Sequence, residues 1–188
     1  SPPTGNIEDR PEVPVEGTVR FNKDLNTLEF YNGADWRQFT VNGTSGRMLY
    51  MGGLNSSDTK IANIFSLQIP TLGNALQFGE LSAANLMGSS CSSRTRGFYG
   101  RGATPSLINT IEYVTIASAS NAIDFGDATE KEAGSGAGSN ATRGIFAGGS
   151  NPAYINTIDY IEMSTTGNAI DFGDLYKNMS GSGTACGD

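Results

Sequence analysis

The heptapeptide NAIDFGD occurs twice in this chain, at 121–127 and at 168–174, and a looser copy, NALQFGE, occupies 74–80. The three copies start at Asn74, Asn121 and Asn168, two equal steps of 47 residues. Other landmarks keep the same step: Ile64, Ile111 and Ile158, and Arg96 with Arg143. The stretches KIANIFSLQI, LINTIEYVTI and YINTIDYIEM therefore align without a gap. The opening of the first copy, RMLYMGG from Arg47, sits 49 residues before Arg96, which places a two-residue indel in the following loop. A spacing this regular means one supersecondary unit built three times and stacked on itself.

The unit is made of strands. Each copy holds a short apolar run ending in Gly-Gly or an equivalent, a long run such as NTIDYIEMST, a third run around AIDFGD, and a fourth of small residues such as NMSGSGTACG. Gly contributes 25 of 188 residues, about twice its usual share of ~7 %, and charged residues are 16 %. Periodic helical runs are lacking, so the composition predicts an all-β, turn-rich fold. Along the long strand, Ile111, Tyr113 and Thr115 share one face and Glu112, Val114 and Ile116 the other, so both faces carry apolar residues. A sheet wet on one side would alternate more cleanly. A period of 40–50 residues with four strands per copy is that of β-propeller blades, whose crowded inner strands favour small side chains. The expected repeats are 46–94, 95–141 and 142–188. Three blades do not close a propeller, which typically needs four to eight. The chain is therefore expected either to continue past residue 188 or to combine blades from several chains.

Before the repeats lies a different region. Residues 1–16 carry Pro2, Pro3, Pro11 and Pro14 and are expected to form an extended arm. Residues 17–45 read as a small meander. It has strands at 17–21, 27–31 and 36–41, a turn at 22–26 and a hairpin turn at Asn32-Gly33. So small a sheet needs a partner surface, and identical neighbouring chains are one candidate.

Several functions are disfavoured. Net charge is −7, so nucleic acid and anionic membranes are poor partners. The chain has no His, which removes Ser-His-Asp catalysis and His-based metal sites. Cys91 and Cys186 are not in a CxxC pair, lie two blades apart, and are expected to form no disulfide. The triplets Asp124-Phe125-Gly126 and Asp171-Phe172-Gly173 match the magnesium-binding signature of protein kinases, but no phosphate loop, strand lysine or catalytic loop accompanies them, and the first copy has Gln77 instead of Asp. Asp124 with Asp127, and Asp171 with Asp174, could offer oxygen ligands to calcium. Otherwise Ile123 and Phe125 point into the blade interface, Gly126 permits a turn, and Asp127 bonds its own backbone. Arg47, Arg96 and Arg143 open equivalent strands and could ring a ligand or tie blades together through salt bridges. Tyr99, Tyr154 and Trp36 could stack on sugars, or pack internally. Asn42, Asn55, Asn140 and Asn178 start Asn-x-Ser/Thr sequons. No catalytic, cofactor-binding or metal-binding residue is assigned, and no cofactor is expected.

The Gly-Gly after an apolar strand, the following Tyr-containing strand and the period resemble kelch-type repeats over roughly 46–188. The chain departs from that pattern where Phe78, Phe125 and Phe172 stand at the position of the usual Trp. The segment RPEVPVEGTVRFNKDLNTLEFYNGADW resembles one that recurs in bacteriophage tail-fibre and other appendage proteins. It matches through Arg10, Pro11, Pro14, Gly17, Arg20, Phe21, Asn22, Tyr31, Asn32, Gly33 and Trp36. The repeats are similar to those of structural proteins of marine phages, notably phages infecting cyanobacteria. The resemblance implies a non-enzymatic virion protein, a tail fibre or other external appendage. Residues 1–45 would bind other virion proteins, the chains would form homotrimers, and the repeats would contact host-surface glycan. Rival readings are a capsid or neck decoration protein, a propeller enzyme and a bacterial surface-binding module.

Overall fold

The computed structural model describes residues 2–38, 46–69 and 73–181. The chain divides into two compact units, Ser1–Ser45 and Gly46–Asp188.

In the first unit β1 (Thr4–Gly5), β2 (Val19–Asn22), β3 (Thr27–Tyr31) and β4 (Trp36–Gln38) form one sheet in that order. The expected arm is partly wrong. Thr4–Gly5 pairs in parallel with β2, and a 3₁₀ turn follows at Ile7–Asp9. Pro2 and Pro3 stand just ahead of the paired residues, so their missing N–H groups interrupt nothing, and the Pro3 carbonyl accepts the Phe21 N–H at 2.8 Å. Two carboxylates hold the segment: Asp24 accepts the Ile7 N–H and Asp9 the Asn6 N–H, each at 2.7 Å. The β3–β4 connection is also not a tight two-residue turn. The Asn32 side chain accepts the N–H groups of Ala34 and Asp35, an Asx turn spanning four residues. Gly33 supplies its positive φ of 94°. The strand expected over 36–41 runs to Gln38; its remainder and Asn42 lie outside the described residues.

The second unit is all-β and propeller-like. β5 (Arg47–Met51), β6 (Asn63–Gln68) and β7 (Leu76–Glu80) make blade 1. Blade 2 takes β8 (Ser89–Ser92) and β9 (Arg96–Gly100). After the small ribbon β10 (Ala103–Thr104) and β11 (Ser106–Leu107), it adds β12 (Thr110–Thr115) and β13 (Ile123–Asp127), in the order β13-β12-β9-β8. Blade 3 is β14 (Gly136–Ser139), β15 (Arg143–Asn151), β16 (Ala153–Glu162) and β17 (Ile170–Asp174), paired in sequence order. All of these pairings are antiparallel.

This corrects the expected repeat boundaries. The small-residue strand of each copy joins the sheet of the next copy: β8 pairs with β9, and β14 with β15. The reason is local. β8 and β9 are joined by a hairpin in which Ser93 Oγ accepts the Thr95 and Arg96 N–H groups, and Asn140 Oδ1 does the same for Thr142 and Arg143. A short hairpin closes with less entropy loss than the longer link from β7 back to β8. The small strands of successive blades then approach each other, with Ser139 Oγ donating to the Ser92 carbonyl at 2.8 Å. Larger side chains would block that approach.

Blade 2 is covered on both faces, as its two-sided apolar pattern requires. Ile111, Phe98 and Phe125 pack with Phe146, Ile161 and Met163 of blade 3. Val114 and Tyr99 pack with Ile64, Phe78 and Leu81 of blade 1.

Candidate functional site

Some of the residues singled out in the sequence gather at the joins between blades: Arg47, Arg96, Tyr99 and Phe125. The duplicated heptapeptide is half strand and half clasp. Asn121 Oδ1 accepts the Glu80 N–H at 3.1 Å, and the Ala122 N–H donates to the Glu80 carbonyl at 2.8 Å. One copy later, Asn168 Oδ1 accepts the Asp127 N–H at 3.0 Å and the Ala169 N–H donates to the Asp127 carbonyl at 2.7 Å. Each Asn-Ala pair thus grips the Phe-Gly-Asp/Glu end of the preceding copy. The glycine is there for close approach, not for a turn as expected. A Cβ on Gly79 would overlap the Ser120 carbonyl, and one on Gly126 the Gly167 carbonyl. A β-bulge between Ile111 and Glu112 offsets the pairing here. Phe125 is buried in the join, whereas Ile123, expected beside it, is 57 % exposed. Asp124, Asp127, Asp171 and Asp174 are all exposed. Asp171 accepts its own Gly173 N–H. Among the described residues no group of three or more Asp, Glu or Cys could hold a metal ion.

The arginines tie blade to blade, but to carbonyls instead of the carboxylates expected. Arg47 of blade 1 donates to the Ile116 carbonyl of blade 2, and Arg96 of blade 2 donates to the Met163 carbonyl of blade 3 at 2.9 Å. Each lies over a ring, Arg96 being 4.6 Å from the centre of Tyr113. Arg143 instead pairs with Glu162 of its own blade at 2.7 Å. Beside Arg96, Ser93, Thr95, Ala141, Thr142 and Met163 line a groove of mixed polarity of about 230 Å³. That is smaller than the ~300–1,000 Å³ of ligand pockets.

The sugar-stacking set is not assembled. Tyr99 is buried in the join of blades 1 and 2, where burial pushes its hydroxyl up to about 12. Tyr154 is exposed on blade 3. Trp36 belongs to the first unit, where Arg10 and Arg20 lie 5.7 and 5.9 Å from its ring centre. Around it the positions of the N-terminal resemblance converge on one fully buried carboxylate, Glu29. Arg10 contacts it at 2.6 Å, Arg20 at 3.8 Å and Asn22 at 3.0 Å. The Arg10 hydrogen bond holds Glu29 below the usual carboxylate range. Asn55 and Asn140 spend their side-chain oxygens on local turns, and Asn178 donates to the Tyr154 carbonyl. Cys91 packs against the core of blades 2 and 3, and Cys186 lies outside the described residues.

Sequence reasoning missed a buried ionic cluster. Arg101, Glu132 and Asp159 are fully buried between blades 2 and 3. Arg101 pairs with both carboxylates, reaching Asp159 at 2.5 Å. Thr129 completes the site by donating its N–H and hydroxyl to Asp159 at 3.0 and 2.6 Å. A signal was present in the repeat. Arg101 stands where the other copies have Gly52 and Gly148, and it keeps their left-handed backbone: φ is 63° against 66° and 65°. A non-glycine side chain there costs ~1–2 kcal/mol, so its charge has a task.

Against known proteins, no family model and no curated protein matches the sequence. Among solved structures the chain is similar to YjhT, with a TM-score of 0.57 over 89 % of this chain and 69 % of that one, at 14 % identity. A likeness at that identity establishes the propeller-like β fold and nothing about chemistry. Within that fold the blade joins absorb Arg47, Arg96, Tyr99 and the pairs Phe78-Gly79 and Phe125-Gly126. What they leave outward are the loops, the four aspartates and Tyr154.

Proposed function

We propose that the protein is a non-enzymatic bacteriophage virion component, a tail fibre or other external appendage whose N-terminal unit attaches to neighbouring virion proteins and whose repeats meet the host surface. The observation that carries the reading is the convergence of Arg10, Arg20, Asn22 and Trp36 around Glu29. The residues that resemble the phage appendage segment are the ones that build this small unit, so the resemblance follows a folded module and not a chance run of letters. A four-stranded sheet of this size leaves much of its surface for a neighbour. The polar loops of the repeats suit a weak, many-sited contact with sugars.

Mass spectrometry of purified particles, with gold-labelled antibody against the repeats, tests the placement. The expected result is label on an external appendage. Label on the capsid wall or neck would favour the decoration reading, and a particle lacking the chain would overturn the virion assignment. Binding of the 188-residue chain to host cells and to a glycan array tests the second half, and binding no greater than that of a heat-denatured control would refute it.

A further inference from the structure

Three arginines open equivalent strands, and one of them lacks the partner that the other two have. Arg47, Arg96 and Arg143 pair across their sheets with Gln68, Thr115 and Glu162. Gln68, with its amide oxygen turned to the arginine, accepts Arg47 Nη2 and Nε at 3.1 and 3.2 Å. Glu162 accepts Arg143 Nε at 2.7 Å. In blade 2 the side chain of Thr115 is too short to do the same. Arg96 keeps only the contacts that fix it, the Nη1 bond to the Met163 carbonyl at 2.9 Å and the ring of Tyr113. A guanidinium carries five N–H donors, arranged to take an oxyanion two at a time. Among the described residues no carboxylate lies within ion-pair reach of Arg96, although Arg10, Arg20, Arg37, Arg101 and Arg143 each meet one. Arg94, exposed on the same turn, is also without an ion pair among the described residues. The turn is thus a positive patch in a chain of 12 basic and 19 acidic residues.

Arg96 is one wall of the groove between blades 2 and 3, and no acidic residue lines it. Ser93 Oγ accepts the N–H groups of Thr95 and Arg96, which leaves its own hydrogen to give. Ser164, also in the lining, is exposed. Ala141 and Met163 add apolar surface. We propose that this groove binds the acid group of a sugar, a carboxylate or a sulfate ester. Arg96 holds the anion, the Ser93 and Ser164 hydroxyls bond the sugar oxygens, and Ala141 and Met163 meet its C–H groups. A volume of about 230 Å³ suits one charged group and the ring edge that bears it. The sugar, though not the anion, rests on the host-surface reading above.

NMR titration of the 188-residue chain with glucuronate, a sulfated galactose, glucose and inorganic sulfate is the test. One acidic sugar at least should bind ten times more tightly than glucose and than free sulfate, with shifts centred on Arg96 and Ser164; which of the two it is separates carboxylate from sulfate ester. Thr115→Gln and Thr115→Glu copy the partners in blades 1 and 3, so the fold should survive them. Each should close the open guanidinium and weaken binding at least tenfold. No binding, equal binding of glucose, free sulfate as tight as either acidic sugar, or indifference to both substitutions would overturn the proposal. Acidic sugars that fail while the chain still binds host cells would refute the groove and spare the host-surface reading. Acidic sugars that bind while host cells are ignored would do the reverse.

Discussion

The two internal joins share a backbone and differ in what fills it. Both use the Asn-Ala clasp, the close-approach glycine, a buried Phe and an arginine donated to a neighbour's carbonyl. At the join of blades 1 and 2 the remaining space holds Tyr99, Asn85 and Glu112, the last accepting the Ser82 N–H at 3.0 Å. At the join of blades 2 and 3 the same places hold Phe146, Glu132 and Asp159, bound to Arg101. Main-chain contacts recur because every copy presents the same peptide groups. Side-chain contacts can drift, because each join fills the same space with a different set of polar partners.

The sharpest way to break the symmetry is Arg101→Met. It strands Glu132 and Asp159 without a cation at one join and touches the other only at a main-chain carbonyl. A loss of about 4 kcal/mol is expected in urea unfolding, in line with breaking a buried ion pair. The triple change Arg101→Met, Glu132→Leu and Asp159→Leu should recover much of it, which would show that the penalty comes from uncompensated charge.

Phe125→Ala should cost about 3 kcal/mol by the same measurement, from lost burial and the cavity left behind. Phe172→Ala, in the same heptapeptide, should cost less than about 1 kcal/mol, because more than half of that side chain is exposed.

Alkaline pH separates the joins through Tyr99, whose hydroxyl is raised by burial from 10.0 to about 12. The folded chain holds that proton more tightly than the unfolded one. Stability is therefore complete below pH 10 and falls as pH climbs toward 12, by about 2 kcal/mol. Tyr99→Phe, which copies the residue at the second join, should remove that part of the slope. An unchanged slope would mean that Tyr99 ionises as freely in the fold as outside it.

Asn121→Ala and Asn168→Ala test the clasp itself. Each removes one acceptor of a main-chain N–H and should cost about 1 kcal/mol, equally at the two joins. A large inequality between them would show that the clasp is not the common element.

Much of this fold could be read before any coordinate. The period, the strand content and the two-sided apolar pattern of the long strand follow from local spacing, and Ile111 and Val114 do face opposite neighbours. Three things could not be read. The small strand was expected to close its own copy's sheet, and only the pairing of β8 with β9 shows that it joins the next. Ile123 and Phe125 differ in exposure because a bulge breaks the alternation on which the expectation relied. The Arg101 cluster joins residues up to 58 positions apart, so the odd Arg at a glycine position could be seen in the sequence but its two carboxylate partners could not. The Asp-Phe-Gly triplets looked chemical in isolation, yet at Asp124-Phe125-Gly126 the Gly and Phe serve packing.

By itself the sequence determined that this chain is a stack of like β units and where each unit repeats, because periodicity and side-chain alternation are properties of neighbouring residues. Tertiary structure decided what each copy of those units does. Seven identical letters bury one Phe at 125 and expose another at 172, since burial belongs to the neighbour a residue meets and not to the residue.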